Sequence, residues 1–364
     1  MKRITGNILF VCFVFIVSYA QESIDRPKPI VGAIRWDAYY GSQDDVGQSI
    51  NKRLSPQKWH DRLPFFAKEI GKDSIQMNGA TQAVIDQEIT YAKNAGLDYW
   101  AFVTYAPSEY MSLSLKCYLS SSLRSQIKYC LVTECQRWDD TNYVNWLVNL
   151  IKQSGYQVVL NNRPIIFLSF ITQQIIDKHF SDIRELGKIL SDFRAKVKYS
   201  GLNDPYIIIM DTNPSNGKRW MDLLDCQALS SYAINCNEEK GSYVNLANCT
   251  ETFWEKCKET KAQVVPIIMS GWDRRPRIEN PIKWETWQKP GVGIDYYYEA
   301  PTALELCNHV KSALNWLELN KTSAQAQLAL IYAWNEIEEG GYIVPTLKEG
   351  TIRLDAVSKA LKDR

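Results

Sequence analysis

The 364-residue sequence has only three histidines, His60, His179 and His309, too few and too scattered for a mechanism built on clustered imidazoles. CxxC pairs and the Cys/His spacings of zinc sites are missing, so no metal is expected and no cofactor is called for. There is no GxSxG elbow and no HExxH, which removes serine-hydrolase and zinc-protease chemistry. No GxGxxG follows any strand-like run, which counts against dinucleotide binding on an open sheet. An excess of one charge is lacking as well. Lys+Arg number 42 against 41 Asp+Glu, a formal charge of +1. Without Lys2 and Arg3 it becomes −1, too little positive charge to seek nucleic acid or an anionic membrane.

What is present begins with a leader. Lys2 and Arg3 precede an apolar run over residues 8–17, and Ser18-Tyr19-Ala20 offers small residues at the cleavage positions. Residues 1–20 are read as a secretory signal peptide. The run is shorter than the roughly 20 residues that span a bilayer, and no spanning run follows. The expected mature chain, 21–364, is exported to the periplasm or the exterior. It retains eight cysteines, several inside apolar segments, where buried free thiols are expected in preference to one or two disulfides of open pairing.

Eight strand-like runs occupy residues 30–36, 97–105, 127–133, 164–170, 206–210, 228–233, 264–269 and 328–334. Most are continuously apolar, the pattern of parallel strands buried on both faces. Helical stretches are read at 81–94, 141–153, 175–198 with a break near Gly187, 217–224, 243–261, 302–319 and 351–362. A further loop helix is read as capped by Ser55 with Pro56 in its first turn. The alternation predicts an α/β fold, a single-domain (β/α)8 barrel with long βα loops at 37–80 and 271–300. An open doubly wound sheet is the alternative.

In such a barrel the residues just past each strand share one crater. Here that set includes Trp36, Asp37, Tyr105, Glu134, Trp138, Tyr232, Trp272, Asp273, Arg274, Trp334 and Asn335. Flat apolar rings beside hydrogen-bonding groups suit a sugar, whose C–H face stacks while its hydroxyls need partners. The plainer alternative has the tryptophans closing the barrel core and Asp273 pairing with its neighbouring arginines. The segment 331–346, IYAWNEIEEGGYIVPT, crowds three glutamates into four residues at a strand end. Glu336 and Glu339 lie three apart, so one turn places both on one side, as a carboxylate pair for glycoside hydrolysis requires. A merely solvated acidic cluster is the competing reading.

WNEIEEG resembles the WNEW-x-EG signature of glycoside hydrolase family 99, the endo-α-mannosidases, and of the wider family-99-like group. GLDYWAFVTY, LVTECQRW, RPIIFLSF and GWDRRPR are similar, in order, to that family's second-, third-, fourth-strand and WDNxPR segments. Ile337 replaces the family's aromatic after the first glutamate, and the third-strand ENW becomes the longer Glu134-Cys135-Gln136-Arg137-Trp138. The resemblance implies a metal-independent, retaining enzyme acting through a 1,2-anhydro sugar. It would make Glu336 the base on the substrate's 2-hydroxyl and Glu339 the acid, with Glu338 solvated or structural.

The expectation is therefore an exported retaining glycoside hydrolase with an oligo- or polysaccharide substrate, mannan-like and α-linked. Glu336 and Glu339 are its catalytic pair. The alternatives are a non-catalytic glycan-binding barrel of an uptake system and a glycosyltransferase. Export counts against the transferase, because nucleotide-sugar donors are cytoplasmic.

Overall fold

The structure, a computed structural model, describes residues 28–362 and Arg364. The expected leader lies outside the described residues. Eight parallel strands form the centre: β1 (Ile30–Arg35), β2 (Tyr99–Val103), β3 (Lys128–Glu134), β4 (Arg163–Ser169), β5 (Tyr206–Met210), β6 (Ala228–Ser230), β7 and β8 (Leu328–Tyr332). β7 comes in two pieces, Gln263–Val264 and Ile267–Met269. Each strand pairs with the next in chain order, and β8 pairs back onto β1. The sheet thus curls closed as a (β/α)8 barrel. All eight apolar runs are strands buried along most of their length.

Closure happens at Pro266. The Val265 N–H still donates to Leu229 of β6 at 2.8 Å, whereas the Pro266 carbonyl accepts from Leu330 of β8 at 3.0 Å. A proline has no N–H for a ladder, so it sits where the run changes from one neighbour to the other. The break costs no hydrogen bond and lets a single run close the barrel.

Helices cover the outside. α2 (Gln82–Ala95) starts at Thr81, whose side chain accepts from the Val84 N–H, and stops at Gly96 in the left-handed region (φ 83°). Both ends are those expected from the sequence. Two expectations need correction. The helical stretch after β4 breaks at Phe180–Asp182, between α5 (Gln173–His179) and α6 (Ile183–Tyr199), not at Gly187. Asp182 there accepts from the Arg184 and Glu185 N–H groups; a cap restarts a helix more decisively than an internal glycine interrupts one. Ser55 is not an N-cap but the C-cap of α1 (Asp45–Leu54), and a 3₁₀ turn, Gln57–Arg62, follows. A short α3 (Leu113–Ser120), in a stretch for which the sequence reading named no element, also follows β2.

The other helices are α4 (Thr141–Ile151), α7 (Pro214–Leu223), α8 (Tyr243–Glu259), α9 (Arg275–Glu279), α10 (Ala303–Leu319) and α11 (Ile352–Lys362). α9 sits in the long loop after β7. None of the helices among the described residues is long and apolar enough to cross a membrane. Cys236 and Cys249 form a disulfide, contrary to the preference for free thiols. Among the described residues six cysteines are free, and all but Cys117 are buried.

Candidate active site

Past β8 the chain folds into a tight hairpin in which Asn335 pairs with Tyr342 and Glu336 with Gly341. The turn, Ile337–Glu339, is 3₁₀ and closes on Gly340 at φ 75°. A Cβ on Gly340 would lie 2.8 Å from the Asp273 nitrogen. Glycine here therefore serves both the backbone conformation and the close approach of the β7 loop. The Asp273 N–H donates to the Glu339 carbonyl at 2.6 Å, and the Ile337 N–H to the Tyr39 hydroxyl at 3.0 Å. The hairpin is thereby fixed to both neighbouring loops.

Asn335 joins the ends of β1 and β8. Its Oδ1 accepts from the Trp36 N–H at 2.9 Å, and its Nδ2 donates to Asp37 at 3.0 Å. Asp37 in turn holds Arg35 at 2.9 Å, and Arg35 reaches Glu88 of α2 at 2.8 Å. Trp36 Nε1 donates to the Tyr105 hydroxyl at 2.9 Å, and the Arg137 guanidinium lies 4.5 Å over the Tyr105 ring. Arg137 is held by Glu134 at 2.8 Å and Glu109 at 2.7 Å. Trp36, Asp37, Tyr105, Glu134 and Asn335 thus share one side of the crater.

The glutamates divide sharply. Glu338 is fully buried and pairs with Arg277 at 2.5 Å and, more loosely, Arg53 at 3.5 Å. It is structural, and the solvated alternative is excluded. Glu339 pairs with Arg274 at 2.9 Å and with Arg277, and accepts from the Tyr332 hydroxyl. Among the described residues no arginine pairs with Glu336. Its Oε1 accepts from the Tyr232 hydroxyl at 2.5 Å, and its Oε2 is buried without a hydrogen-bond partner. The Tyr232 and Tyr332 rings, each holding one carboxyl, lie 5.7 Å apart.

The charge states follow. Burial, reinforced by the charge of Glu339, pushes the Glu336 carboxyl well above the usual carboxylate range, against the opposing pull of Arg277 and Tyr232. Burial also opposes ionisation of Glu339, but Arg277, Arg274 and Tyr332 outweigh it and hold that carboxyl below its ordinary value. These directions are opposite to those the resemblance implies, which made Glu336 the anion and Glu339 the proton carrier. The cause lies in the arginines of the β7 loop, which reach Glu339 and leave Glu336 without a partner cation.

Three expected substrate contacts are corrected by packing. Trp138 is buried, with its ring 5.1 Å from Phe193 of α6 and its Nε1 on Thr133. Trp334 is fully buried against Trp100 at 5.2 Å, and its Nε1 donates to Glu88 at 3.0 Å. Both belong to the core. Asp273 is occupied by Arg62 and by Arg275 at 2.7 Å. Despite burial, these two arginines hold its carboxyl below the ordinary range. It anchors the loop. Trp272 and Arg274 stay half-buried at the rim. Arg277 was missed. Its signal was charge balance: RRPR places three arginines in four residues, matching three glutamates in four at a buried strand end.

Among the described residues no group of three or more His, Cys, Asp or Glu side chains is placed to hold a metal ion. His309 stacks on Trp254 at 5.6 Å, His179 meets Asp139 at 2.7 Å, and His60 Nε2 lies 2.7 Å from the Ser55 carbonyl.

Fold and site together define a closed (β/α)8 barrel with an aromatic, carboxylate-bearing crater at the C-terminal ends of its strands. No family model and no curated protein matches the chain. Among solved structures it is similar to the family-99 endo-α-mannosidase from Bacteroides thetaiotaomicron, at TM-score 0.57 and 12% identity, covering 92% of this chain and 96% of that one. The same enzyme in complex with bis-tris-propane matches at TM-score 0.57 and 13% identity, with the same coverage. A glucosidase from Croceicoccus marinus aligns at TM-score 0.41 and 8% identity, over 75% of this chain and 62% of that one. At these identities the likeness to the family-99 structures is one of fold.

Proposed function

We propose that the protein is an exported, retaining glycoside hydrolase acting on an α-linked, mannan-like glycan. The observation that carries the reading is Glu336: a buried carboxyl free of arginine, with one oxygen unpartnered, beside an ionised Glu339. Two neighbouring carboxyls driven to opposite protonation states are the requirement of acid–base glycoside chemistry. Glu336 donates its proton to the leaving oxygen. Glu339 takes the proton of the 2-hydroxyl as that oxygen closes on the anomeric carbon. Water then opens the 1,2-anhydro sugar, giving its proton to Glu336, while Glu339 returns its own to O2. Arg274 and Arg277 keep Glu339 ionised at the start of the cycle. The α-mannan class follows from the WNEIEEG resemblance and the family-99 neighbour. Export is supported by the Cys236–Cys249 disulfide, which suits an oxidising compartment.

A second reading, glycan binding without cleavage, is favoured by one observation. Both Glu339 oxygens are engaged by arginine or tyrosine. Incubating the mature chain with α-mannan and α-linked manno-oligosaccharides, with products read by chromatography, decides between them. The hydrolase reading expects product release, falling at least ~10²-fold in Glu336→Gln. Binding without release selects the second reading. Neither binding nor release refutes both.

A further inference from the structure

We infer that the glycan lies along an aromatic strip crossing the crater mouth, with Phe170 and Trp287 as sugar-stacking residues at its two ends; the inference rests on the glycan reading above. Phe170 directly follows β4 and has φ +58°, a left-handed conformation that a phenylalanine rarely adopts. The residue is 45% exposed. Backbone strain spent on presenting an apolar ring to solvent marks a site more than a fold requirement. That ring lies 5.8 Å from Tyr232, which holds Glu336.

The strip continues from Tyr232 to Tyr332, which holds Glu339, and then 5.8 Å on to Trp272. The Arg274 guanidinium bridges Trp272 at 5.8 Å and Trp287 at 5.6 Å, and Trp287 is 67% exposed. β4 lies across the barrel from β7 and β8 in strand order. By strand order the exposed rings therefore stand on opposite sides of the two carboxyls, which are held by Tyr232 and Tyr332. Sugar rings beyond those flanking the cleaved bond would stack there by their C–H faces.

The test uses the mature Glu336→Gln protein, whose turnover is expected to fall at least ~10²-fold, titrated with α-linked manno-oligosaccharides of increasing length. In that background Phe170→Ala and Trp287→Ala should each weaken the longer oligosaccharides roughly 2- to 10-fold and leave the disaccharide unchanged. Trp287→Phe should restore most of the loss. Phe170→Gly suits the left-handed backbone, so it reads the loss of the ring without added strain and serves if the alanine variant fails to fold. Equal weakening of long and short oligosaccharides, or no weakening, overturns the strip while leaving the glycan reading intact. No binding at any length by the parent Glu336→Gln protein overturns the glycan reading, and the strip with it.

Discussion

Replacing Arg277 with methionine keeps the stem and removes the charge that organises the β8 hairpin. Arg277 is buried and holds Glu338 at 2.5 Å, Glu339, and Glu285 at 3.4 Å. Without it, Glu338 retains only Arg53 at 3.5 Å, whereas Glu339 keeps Arg274 at 2.9 Å and Tyr332. Removing one partner of a buried ion pair costs about 3–5 kcal/mol, because the remaining charge stays desolvated. With unfolding entropy near ~2.1 cal/mol/K per residue, that is a fall of roughly 4–7 °C in Tm. The pH dependence carries more information. In the wild type Glu339 is held below its ordinary pKa, so its contribution is present above about pH 4.3 and is lost as pH falls through the folded value. In Arg277→Met burial dominates and the carboxyl moves up, so the variant gains stability relative to the wild type as pH falls from about 7 to 5. Thermal unfolding at both pH values measures this. A deficit under ~1 kcal/mol, or one identical at the two pH values, would refute the electrostatic account of the hairpin.

The pH profile of kcat/KM should fall on its alkaline side as Glu336, raised by burial, loses its proton, and on its acid side as Glu339 gains one. The two limbs belong to the coupled pair, not to either residue alone. Tyr232→Phe removes a donor that favours the charged form of Glu336, so the alkaline limb should move up while the protein folds normally; an unmoved limb would count against this assignment. The Cys236–Cys249 bridge closes a short loop, with a sequence separation of 13. Reductant should therefore lower stability by about 3 kcal/mol, seen as a Tm shift that Cys249→Ser abolishes.

Most of the barrel was legible because its strands are continuous apolar runs, and that pattern depends little on long-range context. Even the proline in VVPIIM kept its place, since strand exchange at closure needs a residue that donates no hydrogen bond. Which side of a strand end a residue faces was not legible. Trp36 and Trp334 both end apolar strands, yet one edges the crater and the other fills the space between β8 and α2. The carboxyl pair was found from local crowding. The unequal surroundings of its two members were not, because Arg274 and Arg277, which reach Glu339, are about sixty residues away in sequence. Phe170 carried no sequence signal, since only a backbone angle sets it apart.

The central claim is that Glu336 carries the proton and Glu339 the charge. The most direct measurement compares Glu336→Gln and Glu339→Gln on a natural α-linked substrate and on aryl α-glycosides with progressively better leaving groups. A good leaving group needs little protonation. Glu336→Gln should therefore lose at least ~10²-fold in kcat on the natural linkage and recover most of it on the best leaving group, while Glu339→Gln stays impaired throughout. Rescue of Glu339→Gln instead, or full activity in both variants, would contradict the account.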